Sequence, residues 1–246
     1  MRSLALLLVS CFAIARASGS ELVTLTASDG VQVYGEFWSA PDQRAPIILA
    51  FHQAGASRIE YAPLVPRLNR AGFSVLAIDQ RSGDGEFGGH NQTVAALRRS
   101  TSYAAALPDL EAALAWGKAK ANGSPVLVWG SSYSAALAFL LVAKHPKDAH
   151  GLLAFSPGEY LNAPNAVHDA AKKVRLPIFI DQSTDSEEIE QSHSILKAIP
   201  GNDKQQFVPT TNGVHGSATL RPDRNAVGAE ENWTAVLRFL GQFKKP

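Results

Sequence analysis

The stretch Pro125-Val-Leu-Val-Trp-Gly-Ser-Ser-Tyr-Ser-Ala-Ala-Leu-Ala138 decides the fold of this chain. Its first part, Val126 to Trp129, is a short apolar run typical of a buried strand. After Gly130 a run of small and apolar residues predicts a buried helix. A serine two residues after a glycine, at such a strand-to-helix corner, is typical of a nucleophile elbow, a strained turn that lifts a hydroxyl clear of the sheet. Ser132 is therefore the candidate nucleophile.

The pattern Gly130-Ser131-Ser132-Tyr133-Ser134 departs from G-x-S-x-G at its last position, where Ser134 keeps the residue small. Ser131 is in the wrong register, because no glycine lies two positions before it. Short motifs also match by chance, so a serine-rich strand–turn–helix junction without chemistry is the alternative for this stretch taken alone.

The composition favours one globular α/β domain with a sizeable core. The chain has 246 residues, of which 46% are hydrophobic and 18% are charged. Its 23 basic and 22 acidic residues give a net charge of +1. Nothing in that balance points to nucleic acid or a membrane surface as a partner.

The N-terminus is typical of an export signal. Arg2 precedes an apolar run, residues 4–15, that is too short to span a bilayer comfortably, and Ala15-Arg16-Ala17 fits a cleavage site. We expect a signal peptide over residues 1–17, a single domain over 18–246, and a secreted or periplasmic product without stable membrane insertion. The alternative is a lipid anchor through Cys11, the only cysteine, because residues 8–11 resemble a lipobox. A mature chain without that cysteine could form no disulfide.

The rest of the chain alternates strand and helix patterns. Two alternating runs around Ser28-Asp29-Gly30 predict an antiparallel hairpin at the start of the domain. Apolar runs then predict strands near residues 47–51, 73–78, 126–129, 152–155, 178–180 and 206–208. Besides the buried helix predicted after Gly130, helical patterns lie near residues 61–72, 107–116, 189–199 and 233–240. Such alternation predicts a mostly parallel, doubly wound sheet with helices on both faces. Active sites of such sheets lie at the carboxyl ends of the strands.

Polar groups follow the predicted strands where that site should be. His215 lies in a loop of small residues before the last helix, from which it could reach Ser132 as a general base. The backbone N–H groups of Gln53 and Tyr133 are the natural pair for an oxyanion hole. That role needs only the backbone of the loop that begins at His52, so we expect the His52 imidazole to be a packing group. His90, in a Gly-rich loop, is a further candidate for contact with substrate.

The base needs an acid to hold its tautomer and to stabilise the imidazolium. Four acids follow the predicted strand at residues 178–180. Asp185, a few residues past the strand end and on a turn, is the predicted acid, and Asp181 is the alternative. Glu187 and Glu188 are expected to open the next helix, where acids suit the dipole.

With these residues in place the chain resembles an α/β-hydrolase over nearly all of residues 18–246. The order Ser132, Asp185, His215 matches that architecture. Residues 52–55 (His-Gln-Ala-Gly) are similar to the family's oxyanion loop, with Gln in place of Gly, and residues 79–83 (Asp-Gln-Arg-Ser-Gly) are similar to its D-x-R-G-x-G turn. Small esterases and dienelactone hydrolases are the most similar members, although the latter use a Cys nucleophile. The segment from Gly158 to Leu176 has only nineteen residues, which predicts a short or absent cap.

The resemblance implies two-step acyl transfer on a small-molecule acyl substrate, with no metal or cofactor required. A serine aminopeptidase, an amidase or an acyltransferase would use the same residues. A secreted binding protein with a degenerate site is the alternative from another class. The oligomeric state is left open by the sequence.

Overall fold

A computed structural model describes residues 19–244 of the chain. The predicted signal peptide and its lipobox alternative lie outside the described residues. The strands are β1 (Ser20–Thr26), β2 (Gln32–Trp38), β3 (Ile47–Phe51), β4 (Ser74–Ile78), β5 (Val126–Ser131), β6 (Gly151–Phe155), β7 (Ile178–Asp181) and β8 (Lys204–Phe207). The helices are α1 (Val65–Arg70), α2 (Gln92–Leu97), α3 (Leu107–Ala121), α4 (Tyr133–Lys144), α5 (Ala166–Ala171), α6 (Ser186–Ala198) and α7 (Ala229–Leu240).

The strands form one mixed sheet in the order β1-β2-β4-β3-β5-β6-β7-β8. The pairs β1·β2 and β2·β4 are antiparallel, and every pair from β4·β3 to β7·β8 is parallel. The predicted α/β sheet with an N-terminal antiparallel hairpin is therefore confirmed.

Helices cover both faces of the sheet, which explains why the central strands are continuous apolar runs. Along β3, Ile47, Leu49 and Phe51 pack on one side against residues of α3 and α4, while Ile48 and Ala50 pack on the other against residues of α1 and α7. All five residues of β3 are buried. This strand lies in the middle of the sheet and is a rigid base for the loop that follows it.

The chain runs from β3 outward to β4 and then returns to the other side of β3 as β5. This reversal opens a crevice at the carboxyl ends of β3 and β5, where open α/β sheets bind their ligands. Gln53 and Ser132, which follow these two strands, lie at the crevice.

Between β6 and β7 the chain adds only the six-residue helix α5, which packs beside α4 and α6. This arrangement agrees with the predicted short or absent cap. The sequence patterns did not identify α5 or α2, both of which have only six residues. Within residues 19–244, no helix has the length and apolar character that a bilayer span requires.

Candidate active site

The turn at the end of β5 has the strained backbone expected of a nucleophile elbow. Ser132 has φ 58° and ψ −124°, a region that non-glycine residues rarely adopt. Its N–H donates to the Phe155 carbonyl (2.8 Å), which anchors the turn to β6. The surrounding structure thus holds Ser132 in this conformation with its hydroxyl above the strand ends.

Two small residues allow the turn to be tight. A Cβ on Gly130 would lie 2.4 Å from the Ser134 carbonyl oxygen, so the start of α4 requires glycine at this position. The Ser134 hydroxyl donates to the His52 carbonyl (2.6 Å). The departure from the usual glycine at position 134 therefore adds a bond between the elbow and the loop after β3.

His215 reaches Ser132 from the loop between β8 and α7. Its Nε2 lies 2.7 Å from Ser132 Oγ. The Ser132 residue is 8% exposed, whereas the His215 side chain is 41% exposed. One edge of the imidazole is therefore open to solvent, and the structure brings together these two sequence-predicted residues.

The acid beside His215 is Glu188, and the prediction of Asp185 is corrected here. Glu188 Oε1 lies 2.7 Å from His215 Nδ1. Asp185 is instead the N-cap of α6, and its Oδ1 accepts the N–H groups of Glu187 (2.9 Å) and Glu188 (3.2 Å). Asp185 is engaged in starting the helix, and the residue one turn later reaches the histidine.

A local signal for Glu188 was present in the sequence. Asp185-Ser186-Glu187-Glu188 fits a capping box, in which the first residue caps the helix and the glutamate three positions later folds back over its N-terminus. That pattern commits the Asp185 carboxylate to backbone N–H groups. It leaves Glu188 as the acid that can fold back from the helix.

Asp181, the alternative acid, forms no hydrogen bond or ion pair with His215 among the described residues. It ends β7 fully buried, and neither of its carboxylate oxygens has a hydrogen-bond partner among the described residues. Burial raises the pKa of Asp181 well above its usual range, which favours a neutral carboxyl. A neutral carboxyl that makes no bond to His215 is not suited to stabilise an imidazolium there.

The pKa values of Glu188 and His215 are shifted in opposite directions, which suits a carboxylate that stays ionised beside an imidazole that can take up a proton. Burial opposes ionisation of Glu188, yet bonds from His215, the Ser156 hydroxyl and the Ser183 N–H hold its pKa at about 2. The hydrogen bond to Glu188 raises the pKa of His215. The ionised carboxylate therefore orients the ring and favours its protonated form.

Ser156 is a further member of the site that sequence analysis missed. It follows β6 with φ 51°, and its hydroxyl donates to Glu188 Oε2 (2.8 Å). Ser156 Oγ in turn accepts the N–H of Gly216 (2.9 Å). Ser156 thus ties the acid to the residue that follows His215, and its only signal in sequence is its place after a strand.

The two backbone N–H groups predicted to form the oxyanion hole, those of Tyr133 and Gln53, differ within the described part of the chain: the first is free to donate and the second is not. The N–H of Tyr133 opens α4 and has no acceptor among the described residues, as expected for the first turn of a helix. The N–H of Gln53 instead donates to the Glu60 carboxylate (2.7 Å), so this part of the prediction is corrected. The next N–H along the loop, that of Ala54, has no acceptor within residues 19–244.

The other two histidine predictions can be located in the structure. His52 is fully buried, its Nδ1 contacts the Gln53 carbonyl (2.8 Å) and its Nε2 accepts the N–H of Gln80 (3.0 Å). Both ring nitrogens are thus used in packing. His90 lies exposed in the loop after β4 and forms no hydrogen bond or ion pair with Ser132, His215 or Glu188. In the part of the chain that the structure describes, no three His, Cys, Asp or Glu side chains form a group suited to a metal ion.

Comparison with known proteins places the chain in a family and identifies structures with the same fold. The family model for serine aminopeptidase S33 matches residues 42–184, more than half of the chain. No curated protein matches the sequence at a significant level. Among solved structures, the chain is similar to dienelactone hydrolase from Anabaena variabilis (TM-score 0.70, 16% identity, 93% of this chain and 99% of that one).

Two esterases of known structure are also similar to the chain. The Pyrococcus furiosus esterase Pf2001 has a TM-score of 0.68 and 19% identity, with 93% of this chain and 94% of that one covered. A cold-adapted esterase from an Arctic intertidal metagenomic library has a TM-score of 0.65 and 20% identity, with 92% and 94% covered. At these identities the likeness establishes the fold.

Proposed function

Because the chain belongs to the serine aminopeptidase S33 family of α/β-hydrolases, we propose that it is a serine hydrolase that cleaves a small carboxylic ester. The observation that carries the proposal is the linear array of Ser132 Oγ, the His215 imidazole and Glu188, joined by two contacts of 2.7 Å. The base lies within hydrogen-bond reach of both the nucleophile and the orienting acid, as this chemistry requires. The esterase names of two similar structures support an ester as the substrate.

The reaction follows from these contacts. Ser132 Oγ attacks the acyl carbonyl while His215 Nε2 takes the hydroxyl proton, and the Glu188 carboxylate stabilises the resulting imidazolium. His215 then gives the proton to the departing alcohol, which leaves Ser132 acylated. Water, deprotonated by His215, attacks the acyl group, releases the carboxylic acid and restores the serine.

The tetrahedral oxyanion is proposed to bind the N–H groups of Tyr133 and Ala54. Both donors lack an acceptor among the described residues, whereas the N–H of Gln53 is engaged by Glu60. A crystal structure of the adduct with diethyl p-nitrophenyl phosphate tests this pair. The phosphoryl oxygen should lie about 2.7–3.1 Å from the Tyr133 and Ala54 nitrogens. An oxygen bound by the Gln53 nitrogen would restore the first prediction.

The open edge of His215 and the absence of an inserted cap domain between β6 and β7 support a small acyl substrate. The first test is hydrolysis of p-nitrophenyl acetate and butyrate by residues 18–246 and by Ser132→Ala. Loss of the nucleophile should lower kcat on the order of 10⁴-fold or more. Ser100→Ala removes an exposed serine and is the matched control, which should keep wild-type turnover. Equal turnover in Ser132→Ala and wild type would refute the assignment.

A serine aminopeptidase is the second candidate, favoured by the description of the family whose model matches the chain. The triad would be the same, and the leaving group would be an amine. Comparing kcat/KM for an aminoacyl p-nitroanilide with that for p-nitrophenyl butyrate separates the two functions. A preference for the anilide would replace the ester proposal.

We also propose that the chain is exported, on the basis of the charge, length and cleavage pattern of residues 1–17. Expression of the full chain followed by N-terminal sequencing of the exported product should give Ser18 as the first residue. A product lipidated at Cys11 would support the anchored alternative, and an uncleaved product would contradict both.

A further inference from the structure

A second carboxylate, that of Glu60, lies beside the candidate triad without taking part in the mechanism above. Glu60 ends a 3-10 turn, Arg58–Glu60, and is fully buried. Its Oε2 accepts the N–H of Gln53 (2.7 Å), and its Oε1 accepts the hydroxyl of Ser131 (2.7 Å). One side chain thus joins the loop after β3 to the residue directly before the nucleophile.

The connection continues to the loop that carries His215. Ser131 Oγ also accepts the N–H of Ser217 (2.8 Å), two residues after His215. Between them, Gly216 passes so close that a Cβ there would lie 2.5 Å from Ser131 Oγ. Gln53, Ser131 and Ser217 belong to three separate segments, and their bonds meet at Glu60 and Ser131.

We propose that Glu60 is a positioning residue that holds the oxyanion loop, the nucleophile turn and the base loop in register. This inference rests on the proposed function, because it assigns Glu60 a part in presenting those groups to the same substrate. By accepting the Gln53 N–H, Glu60 fixes the path of the loop and leaves the following N–H, that of Ala54, available. Buried polar bonds of this kind specify one arrangement of the backbone.

The groups that face Glu60 determine how it titrates. Arg221, after the 3-10 turn Gly216–Leu220, places Nη1 3.5 Å from the Glu60 carbonyl oxygen, and its charge favours the carboxylate. Glu86, in the loop after β4, disfavours it, and His215 faces it across the site. Burial dominates and raises the pKa of Glu60 to about 7.

Either protonation state can keep both bonds. A protonated Glu60 can accept the Gln53 N–H with its carbonyl oxygen and donate its O–H to Ser131 Oγ. The amide of Glu60→Gln has the same donor and acceptor and is the matched replacement for the neutral acid. Leucine fills similar space and can form neither bond, so the pair of variants separates hydrogen bonding from packing.

The test measures p-nitrophenyl acetate hydrolysis by wild type, Glu60→Gln and Glu60→Leu, with circular dichroism to establish that each is folded. Glu60→Leu should lose about 10²-fold in kcat with KM changed less than about threefold, because small misplacements of reacting groups carry losses of that size. Glu60→Gln should lose no more than about fivefold in kcat, because its amide keeps one donor and one acceptor for the two bonds. Ser131→Ala, which cuts the link to Ser217 and keeps the Gln53 bond, should lose about tenfold.

Folded Glu60→Leu with the kcat of Glu60→Gln would overturn the inference. Reaction with diethyl p-nitrophenyl phosphate separates this outcome from failure of the proposed function, because an inactive wild type would not be phosphorylated at Ser132.

Amide hydrogen exchange supplies a readout without turnover. The Gln53 amide should be protected in wild type and Glu60→Gln and should exchange at least about tenfold faster in Glu60→Leu. Equal protection in all three would contradict the inference whatever the activity. If Glu60→Leu does not fold, Ser131→Ala decides, and wild-type kcat in that variant would also overturn it.

Discussion

Two glutamates near the candidate nucleophile differ in their electrostatics: Glu188 contacts His215, and Glu60 contacts Ser131, the residue before the nucleophile. Burial opposes ionisation of Glu188, but its hydrogen bonds lower its pKa to about 2. Burial of Glu60 instead raises its pKa to about 7. Each accepts bonds from two or more segments of chain. Glu188, however, contacts the imidazole of His215, which can carry charge. The carboxylate of Glu60 instead accepts bonds from two neutral groups, the backbone N–H of Gln53 and the hydroxyl of Ser131.

The difference shows that the partner, more than the residue type, sets the function of a buried carboxylate. Pairs of acids with divergent pKa values often take separate roles in one active site. The ionised Glu188 is suited to orient His215 and to stabilise its positive charge. Glu60 can exist in either state near neutral pH and is suited to hold neighbouring backbone in place.

The largest expected effect comes from removing the charge of Glu188. Glu188→Gln should lower kcat by about 10³–10⁴-fold, because the amide no longer stabilises the imidazolium and can hold the wrong tautomer. Asp185→Asn is the matched control, since asparagine caps helices as well as aspartate does. It should leave kcat within about threefold of wild type, as measured by p-nitrophenyl butyrate hydrolysis.

The pH profile of kcat/KM sharpens the same comparison. The hydrogen bond to Glu188 raises the pKa of His215, so the acid limb of the wild-type profile should lie above the ordinary histidine pKa of about 6.5. In Glu188→Gln the acid limb of the residual kcat/KM profile should lie at a lower pH than in wild type, because the pKa of His215 is no longer raised by the carboxylate. A large loss in Asp185→Asn with little change in Glu188→Gln would reverse the assignment of the acid.

The second prediction concerns stability on the Glu60 side. A carboxyl with a pKa near 4.5 unfolded and about 7 folded contributes stability below pH 4.5 that is lost as pH rises to about 7 and beyond. The loss should be about 3 kcal/mol, from 2.5 pKa units at 1.36 kcal/mol each. Glu188, whose pKa is lowered, acts in the opposite direction and contributes stability that is lost as pH falls from 4.5 towards 2.

Urea unfolding of wild type and Glu60→Gln at pH 5 and pH 8 measures the Glu60 contribution. The free energy of unfolding of wild type, relative to that of Glu60→Gln, should fall by about 2 to 3 kcal/mol between the two pH values, because at pH 5 the unfolded carboxyl is already mostly ionised. Other titrating groups, such as Asp181 and His52, are common to both proteins and cancel in the difference. An unchanged difference would mean that Glu60 titrates at the same pH when folded and unfolded.

The contrast between the two glutamates also shows what the sequence could predict. The sheet and the hairpin were predicted correctly because periodicity is a local feature. Ser132 and His215, which the structure brings into contact, could be proposed because each follows a predicted strand in a loop or corner of small residues. Asp185 was wrong because distance along the chain from a strand end does not reveal which carboxylate the helix N-terminus uses. Gln53 was wrong as a donor because its partner, Glu60, follows in the next turn and no local pattern links the two.

The third prediction tests how closely the two sides are packed together at Gly216. This residue has φ +69°, and a Cβ there would lie 2.5 Å from Ser131 Oγ and 2.8 Å from Gln53 Oε1. Gly216→Ala should therefore displace the His215 loop and lower kcat by about 10²-fold. Gly201→Ala, where the added Cβ meets no atom within 4 Å, is the control and should keep wild-type kcat. Wild-type kcat in Gly216→Ala would show that the loop adjusts without moving His215.

The smallest expected effect is that of substituting Ser156. The Ser156 hydroxyl donates to Glu188, as the Ser131 hydroxyl donates to Glu60. Ser156→Ala removes the hydroxyl that donates to Glu188 Oε2 and accepts the Gly216 N–H. Glu188 keeps its bonds to His215 and to the Ser183 N–H, so the carboxylate should remain ionised and near its place. Loss of one hydrogen bond to a charged group is worth about 1.5–3 kcal/mol, part of which water at this partly exposed site can replace.

We therefore expect kcat of Ser156→Ala to fall about tenfold, equivalent to about 1.4 kcal/mol, with KM unchanged. Combining it with Glu188→Gln tests whether the two act together. If Ser156 works through Glu188, the double variant should lose no more activity than Glu188→Gln alone. Additive losses would mean that Ser156 acts mainly through Gly216 and the His215 loop, and would join it to the hydrogen-bond network of Ser131 and Glu60.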